Sequence, residues 1–379
     1  MKIVIAPDSF KGSCSTIGAA QNIEDGFRRI FPDVQAVKIP IADGGEGTVD
    51  AMVLGAGGKV HTCTATGPMG QPVEARYGIL DDGTAVVELA AASGLPLVPD
   101  GQRDPTRATT YGTGEVILEA LKAGCRRVII GLGGSATNDG GVGLAQALGV
   151  SFRDAEGKEL PFGGGALSRL HTIDISNIHP LVKETEFIIA SDVDSPLCGP
   201  HGASHVFGPQ KGADPATVQL LDSALLHYAH VLKDQLGQDI LELPGAGAAG
   251  GTTASLVALF GAVIRPGIQV VLDAAHFDQH VQDADLVITG EGRIDGQSIH
   301  GKVPVGVGQR AHQFGVPVLA IVGDIGPGAE ACYDYGVDAI LSTVNKAMPL
   351  KEAMERSSEL MIEAAERAAR ILRMGKHIS

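Results

Sequence analysis

Several short runs of this sequence gather residue types that handle phosphate and protons. Gly131-Leu-Gly-Gly-Ser-Ala-Thr-Asn-Asp-Gly-Gly141 follows the apolar run 127–130 and leads into a helical pattern at 142–148. A strand that breaks into glycines before a helix offers backbone N–H groups and the positive end of the helix dipole, which suits a phosphate. Ala6-Pro-Asp-Ser-Phe-Lys-Gly12 places Asp8, Ser9 and Lys11 after the first apolar run. Pro40-Ile-Ala-Asp-Gly-Gly-Glu-Gly-Thr48 sets Asp43 and Glu46 around two glycines, oxygen ligands of the kind a Mg²⁺ site uses. Ser191-Asp-Val-Asp-Ser-Pro196 brings two more carboxylates, Asp192 and Asp194, to the end of a run 187–190. If that strand continues, the two point to opposite sides. Lys211 sits in the turn Phe207-Gly-Pro-Gln-Lys-Gly212, and Thr289-Gly-Glu-Gly-Arg-Ile-Asp295 brings Arg293, with Lys302 shortly after. Each run taken singly also reads as a helix cap or a glycine turn.

The elements that must hold these residues follow from hydrophobic periodicity. Ile3–Ala6, 285–289, 317–322 and 339–342 are short apolar runs, the pattern of strands buried in a parallel sheet, and 34–41 reads as the second strand, with helical stretches between them. Ser15 or Thr16 caps a helix with Ile23, Phe27 and Ile30 on one face. The C-terminal stretch from Leu350 to Leu372 reads as one last helix, with Glu363–Arg367 and Glu366–Arg370 as i,i+4 pairs. Between residues 59 and 88 the rhythm changes to short β-rich pieces, with Asp81-Asp-Gly83 as a hairpin turn. The simplest arrangement is α/β with two domains. Residues 1–65 plus 280–379 form a discontinuous parallel-sheet domain of flavodoxin or Rossmann type, and 66–279 form an inserted mixed α/β domain. An active site in the cleft between the domains is expected.

Composition narrows the classes. A net charge of −15 over 379 residues argues against nucleic-acid or anionic-membrane binding, which needs a basic face. The 52 glycines, about twice the usual ~7 %, cluster at the ends of apolar runs as turns and anion loops. Five widely spaced cysteines with no Cys-x-x-Cys read as reduced thiols, and the N-terminus carries no signal-peptide pattern. A cytoplasmic enzyme is expected, its oligomeric state left open. Cys198, His201 and His205 lie in a Gly/Pro-rich setting that does not favour zinc. Gly131-x-Gly-x-x-Ala136 with Asp154 fits a dinucleotide fingerprint. An NAD-dependent dehydrogenase of a small hydroxy acid is therefore the rival reading, and a non-catalytic anion-binding protein the second.

Seven segments taken in order, 6–12, 40–48, 66–70, 131–141, 191–199, 207–213 and 289–295, resemble the type I glycerate kinase family along the whole chain. The resemblance implies ATP-dependent, Mg²⁺-assisted phosphorylation of D-glycerate in glyoxylate and glycerate metabolism, with 2-phosphoglycerate and ADP as products. It does not name the base. The chemistry of phosphoryl transfer distributes the candidates. Gly133, Gly134, Ser135, Thr137, Asn138 and Lys211 would take the nucleotide. Asp43 and Glu46 would hold the metal, with Asp194 or Asp192 as further ligands. Asp8, Ser9, Arg293 and Lys302 would bind glycerate, Arg293 as a bidentate clamp on its carboxylate. Lys11 would assist transfer, and Asp192 would accept the hydroxyl proton, with Asp8 next in line.

Overall fold

A computed structural model of the chain describes residues 1–41 and 47–375. It is α/β, its two large sheets one parallel and one mixed, and divides into two compact units, Met1–Asp43 with Leu54–Gly57 and Ile268–Ser379, and Gly44–Val53 with Gly58–Gly267.

The first unit is built on five parallel strands. Across the sheet they run Ala339–Ser342, Val318–Val322, Leu286–Gly290, Lys2–Pro7 and Gln35–Lys38. Numbered along the chain this order is 2-1-3-4-5, the flavodoxin-like arrangement. Ile3, Val4, Ile5 and Ala6 are fully buried, as an all-apolar strand covered on both faces must be. The helix Thr16–Arg28 is capped by Ser15, whose hydroxyl accepts the Gly18 N–H at 3.1 Å. Its buried face of Ala19, Ala20, Ile23 and Phe27 shares a core with Met361, Ala364, Ala365 and Ala368 of the helix Ser357–Gly375.

The C-terminal stretch is two helices, Leu350–Glu355 and Ser357–Gly375, rather than one. Arg356 leaves helical geometry at φ −102° and ψ 15°, and its guanidinium ties Glu352 to Glu359 across the break. Of the two expected surface pairs, Glu366–Arg370 forms at 2.7 Å. Arg367 instead donates to the carbonyls of Ser342 and Thr343, and Glu363 accepts from Asn345.

The second unit holds six strands in the order Val263–Arg265, Glu186–Ala190, Arg127–Gly131, Ala85–Glu88, Pro72–Leu80 and Gly58–Thr66. The first four are mutually parallel and the last two antiparallel. The hairpin at 81–83 joins Pro72–Leu80 to Ala85–Glu88.

The division differs from the sequence expectation in three stretches, of which residues 47–53 group with the mixed-sheet unit. Residues 58–65 belong to the mixed sheet, because Gly58–Thr66 pairs along its length with Pro72–Leu80. Residues 268–279 belong to the parallel unit. Arg310 binds Asp273 at 2.9 Å, Asp278 at 2.6 Å and Gln269 at 3.0 Å, fastening the helices around 267–281 to Val303–His312. The dinucleotide reading also loses its geometry. Ser151–Arg153 pairs antiparallel with Thr172–Asp174 in a separate ribbon, so the run 127–153 closes no parallel βαβ unit.

Candidate active site

In the mixed-sheet unit, the glycine-rich loop leaves the strand Arg127–Gly131 and folds back on itself. Gly134 adopts φ +72°, a left-handed conformation that glycine tolerates best, and its carbonyl accepts the Leu95 N–H at 2.8 Å. Gly133 is half-buried and Gly134 exposed, while Thr137 and Asn138 are fully buried. Lys211 is drawn into this loop. Only 2 % exposed, its Nζ donates to Ser135 Oγ at 2.8 Å and to the Thr137 carbonyl at 2.6 Å. Burial pulls the ammonium down to about 7, against the opposing charge of Asp139. Asn138 Nδ2 donates to Ser204 Oγ at 3.0 Å, whereas Thr137 Oγ1 and Asn138 Oδ1 are buried with no hydrogen-bond partner among the described residues. Ser135, Thr137, Asn138 and Lys211, distant in sequence, thus form one polar group.

The short helix after the loop does not offer its amides to an anion, contrary to the sequence expectation. The buried carboxylate of Asp139 accepts from Gly141 N–H at 3.1 Å, Gly143 N–H at 3.3 Å, and both the N–H and hydroxyl of Thr110 at 2.8 and 2.9 Å. Thr110 Oγ1 in turn accepts the Leu144 N–H at 2.9 Å. The protein's own carboxylate fills the place a phosphate would take at the start of Val142–Ala147. Sequence reading overlooked Asp139, although an acidic residue just ahead of a helix is an ordinary capping signal.

In the parallel unit a second group forms beyond the strand Leu286–Gly290. Glu291, 7 % exposed, accepts the Ser298 hydroxyl at 3.0 Å, and Lys302 Nζ lies 3.6 Å from its other oxygen. Lys302 is also 3.6 Å from Asp295 and donates to the Arg293 carbonyl at 3.4 Å. Burial pushes the Glu291 carboxyl up to about 7 and nearby Asp8 adds to the rise, while Lys302 and Ser298 oppose it. Arg293 is more than half exposed, with Asp295 and Asp324 at 3.7 and 3.6 Å. Asp8 accepts the Ser9 N–H at 2.6 Å, and Ser9 and Lys11 are exposed.

Asp192 and Asp194 are exposed. The strand ends at Ala190, so the expected alternation of facing does not arise, and Val193 N–H turns back to Ser191 Oγ. Asp192 Oδ1 accepts the Gly267 N–H at 3.1 Å. Asp43 and Glu46 fall outside the described residues. Among the described residues no three His, Cys, Asp or Glu side chains gather as a metal site.

Comparison with known proteins decides the family. The profile of the glycerate kinase family matches residues 3–373. The chain belongs to the glycerate kinase family. The chain is 50 % identical to "Glycerate 2-kinase" of Escherichia coli (strain K12) over 376 residues, 99 % of each chain. It is 49 % identical to "Glycerate kinase" of Bacillus subtilis (strain 168), again over 99 % of each. The "Crystal structure of putative glycerate kinase 2 from Salmonella typhimurium LT2" superposes with a TM-score of 0.90 at 48 % identity, covering 100 % of this chain and 99 % of that one. In this member of the glycerate kinase family, the burial of Glu291 is not announced by its motif. Glu291 lies inside a recognised run, but between two glycines it reads as part of a turn, and its burial depends on Ser298 and Lys302 folding over it.

Proposed function

We propose that this chain transfers the γ-phosphoryl group of ATP to the C2 hydroxyl of D-glycerate, giving 2-phosphoglycerate and ADP. The observation that carries this reading is 50 % identity over 99 % of both chains to the Escherichia coli glycerate 2-kinase. Phosphoryl transfer is mostly positioning and charge stabilisation, and each polar group is suited to one part of it. The loop group of Gly133, Gly134, Ser135, Thr137, Asn138 and Lys211 takes the phosphates of the nucleotide. The orphan oxygens of Thr137 and Asn138 are buried groups that an ordered water would satisfy. Asp8, Ser9, Arg293 and Lys302 take glycerate. Arg293, exposed and only loosely paired, is free to turn its planar fork onto the carboxylate. Lys11 neutralises charge on the transferring group.

Mg²⁺ would accompany ATP and neutralise phosphate charge, and Asp43, Glu46 and Asp194 are the residues that would hold it. The enzyme acts in the cytoplasm on a small anion rather than a nucleic acid, in keeping with its net charge of −15. An ADP-release assay with ATP, Mg²⁺ and a panel of D-glycerate, L-glycerate, lactate and glycerol tests the reading. Release confined largely to D-glycerate is expected. Equal turnover of glycerol would remove the carboxylate clamp assigned to Arg293.

A further inference from the structure

The parallel sheet reverses its strand order once, between Lys2–Pro7 and Leu286–Gly290. In open α/β sheets, ligands bind outside the carboxyl ends of the strands at such a reversal. The register pairs Pro7 with Gly290, so the next residues, Asp8 and Glu291, leave the sheet from adjacent strands. The Asp8 N–H is bonded to the Gly290 carbonyl at 2.8 Å. Two carboxylates therefore stand together where the topology locates a ligand. Asp8 is half-buried and Glu291 buried. The two oxygens of Glu291 differ. Oε1 is fixed by the Ser298 hydroxyl at 3.0 Å. Oε2 faces Lys302 Nζ at 3.6 Å, an ion-pair separation longer than a hydrogen bond.

We propose that Glu291 accepts the proton of the substrate hydroxyl during phosphoryl transfer, through Oε2. This inference rests on the glycerate phosphorylation proposed above. As the C2 oxygen forms its bond to the γ-phosphorus, its proton passes to Glu291. The bond from that phosphorus to the bridging oxygen breaks, and ADP leaves with the electron pair. Glu291 then releases the proton to water. The charged and titratable groups around Glu291 are Asp8 from the first strand, Lys302 from the start of the next helix, Asp295 from the intervening turn, and Cys332 from the segment Ala329–Tyr335. Burial and Asp8 bring the carboxyl up to about 7, near neutral operating conditions, where a general base works best.

The test measures kcat and kcat/KM for D-glycerate from pH 5.5 to 9 in the full chain, in Glu291→Gln and in Ser298→Ala, alongside thermal melts. Glu291→Gln is expected to lose about 10²–10⁴-fold in kcat with little change in the KM for ATP. The wild type is expected to show an acid limb in kcat/KM near pH 7. Ser298→Ala removes a hydrogen bond that favours the ionised carboxylate, so its limb moves to higher pH. A folded Glu291→Gln with near wild-type kcat overturns the proposal, as does a comparable loss found in Asp192→Asn but not in Glu291→Gln. If Glu291→Gln does not fold, the Ser298→Ala profile decides: an upward shift supports the proposal, and an unmoved limb overturns it. Absence of D-glycerate-dependent ADP release in the wild type is a different result, since it removes the kinase reading itself.

Discussion

Lys211 folds with its ammonium out of water, and the consequence is measurable. In the unfolded chain a lysine holds its proton to about 10.4, whereas burial releases it here at about 7. Between those values the unfolded state binds more protons than the folded one, so stability rises with pH across that window. Below about 7 both states are protonated and the full cost of the buried charge remains. Lys211→Met is expected to flatten that rise, which for one whole proton approaches about 1.4 kcal/mol per pH unit. Ser135 Oγ and the Thr137 carbonyl would be left short of a partner, at a cost of roughly 1–3 kcal/mol at pH 9. Urea unfolding at pH 6.5, 8 and 9.5 checks both effects, and an unchanged slope contradicts them. The sequence made Lys211, Ser135 and Thr137 legible as candidates but not their burial, which depends on segments about 75 residues apart meeting. Glu291 was illegible for a related reason. A carboxylate between glycines reads as solvated until the residues that cover it are placed.

Among the elements, the helices near the two ends of the chain depend on one glycine. A Cβ at Gly26 in Thr16–Arg28 would lie 2.4 Å from the Ile362 carbonyl oxygen and 2.5 Å from Ala365 Cβ in Ser357–Gly375. Gly26→Ala gains up to about 1 kcal/mol in helix propensity. It must, however, push two backbones apart, which typically costs about 1–3 kcal/mol. The backbone oxygen cannot rotate out of the way, so net destabilisation is expected. A urea midpoint equal to or above wild type would show that the helices separate freely. The buried strands at 3–6, 127–130, 187–190 and 285–289 were legible because continuous apolar runs bounded by glycine or charge leave few alternatives. The break at Arg356 was not. Periodicity runs through it, and the interruption comes from backbone geometry rather than from a proline or glycine. The phosphate reading of the short helix failed in the same way, since glycines before a helix do not reveal whether a nearby carboxylate already fills its amides.

For the molecule as a whole, the distant pairing of Lys2–Pro7 with Leu286–Gly290 was foreshadowed by matching apolar runs near both ends of the chain. The limits of the inserted segment were harder to read. Pairing of Gly58–Thr66 with its neighbour, and the hold of Arg310 on Asp273 and Asp278, move them by several residues. Membership of the glycerate kinase family fixes the reaction class. The position of phosphorylation is the central claim, because a clamp on the carboxylate near the γ-phosphate presents the adjacent C2 hydroxyl, whereas one set about a carbon further away presents C3. The decisive measurement couples the wild-type reaction with ATP, Mg²⁺ and D-glycerate to enolase and pyruvate kinase, with no phosphoglycerate mutase present. Pyruvate formed at the rate of the first ADP release is the predicted result. Pyruvate that appears only after mutase is added means transfer to C3 and contradicts the account.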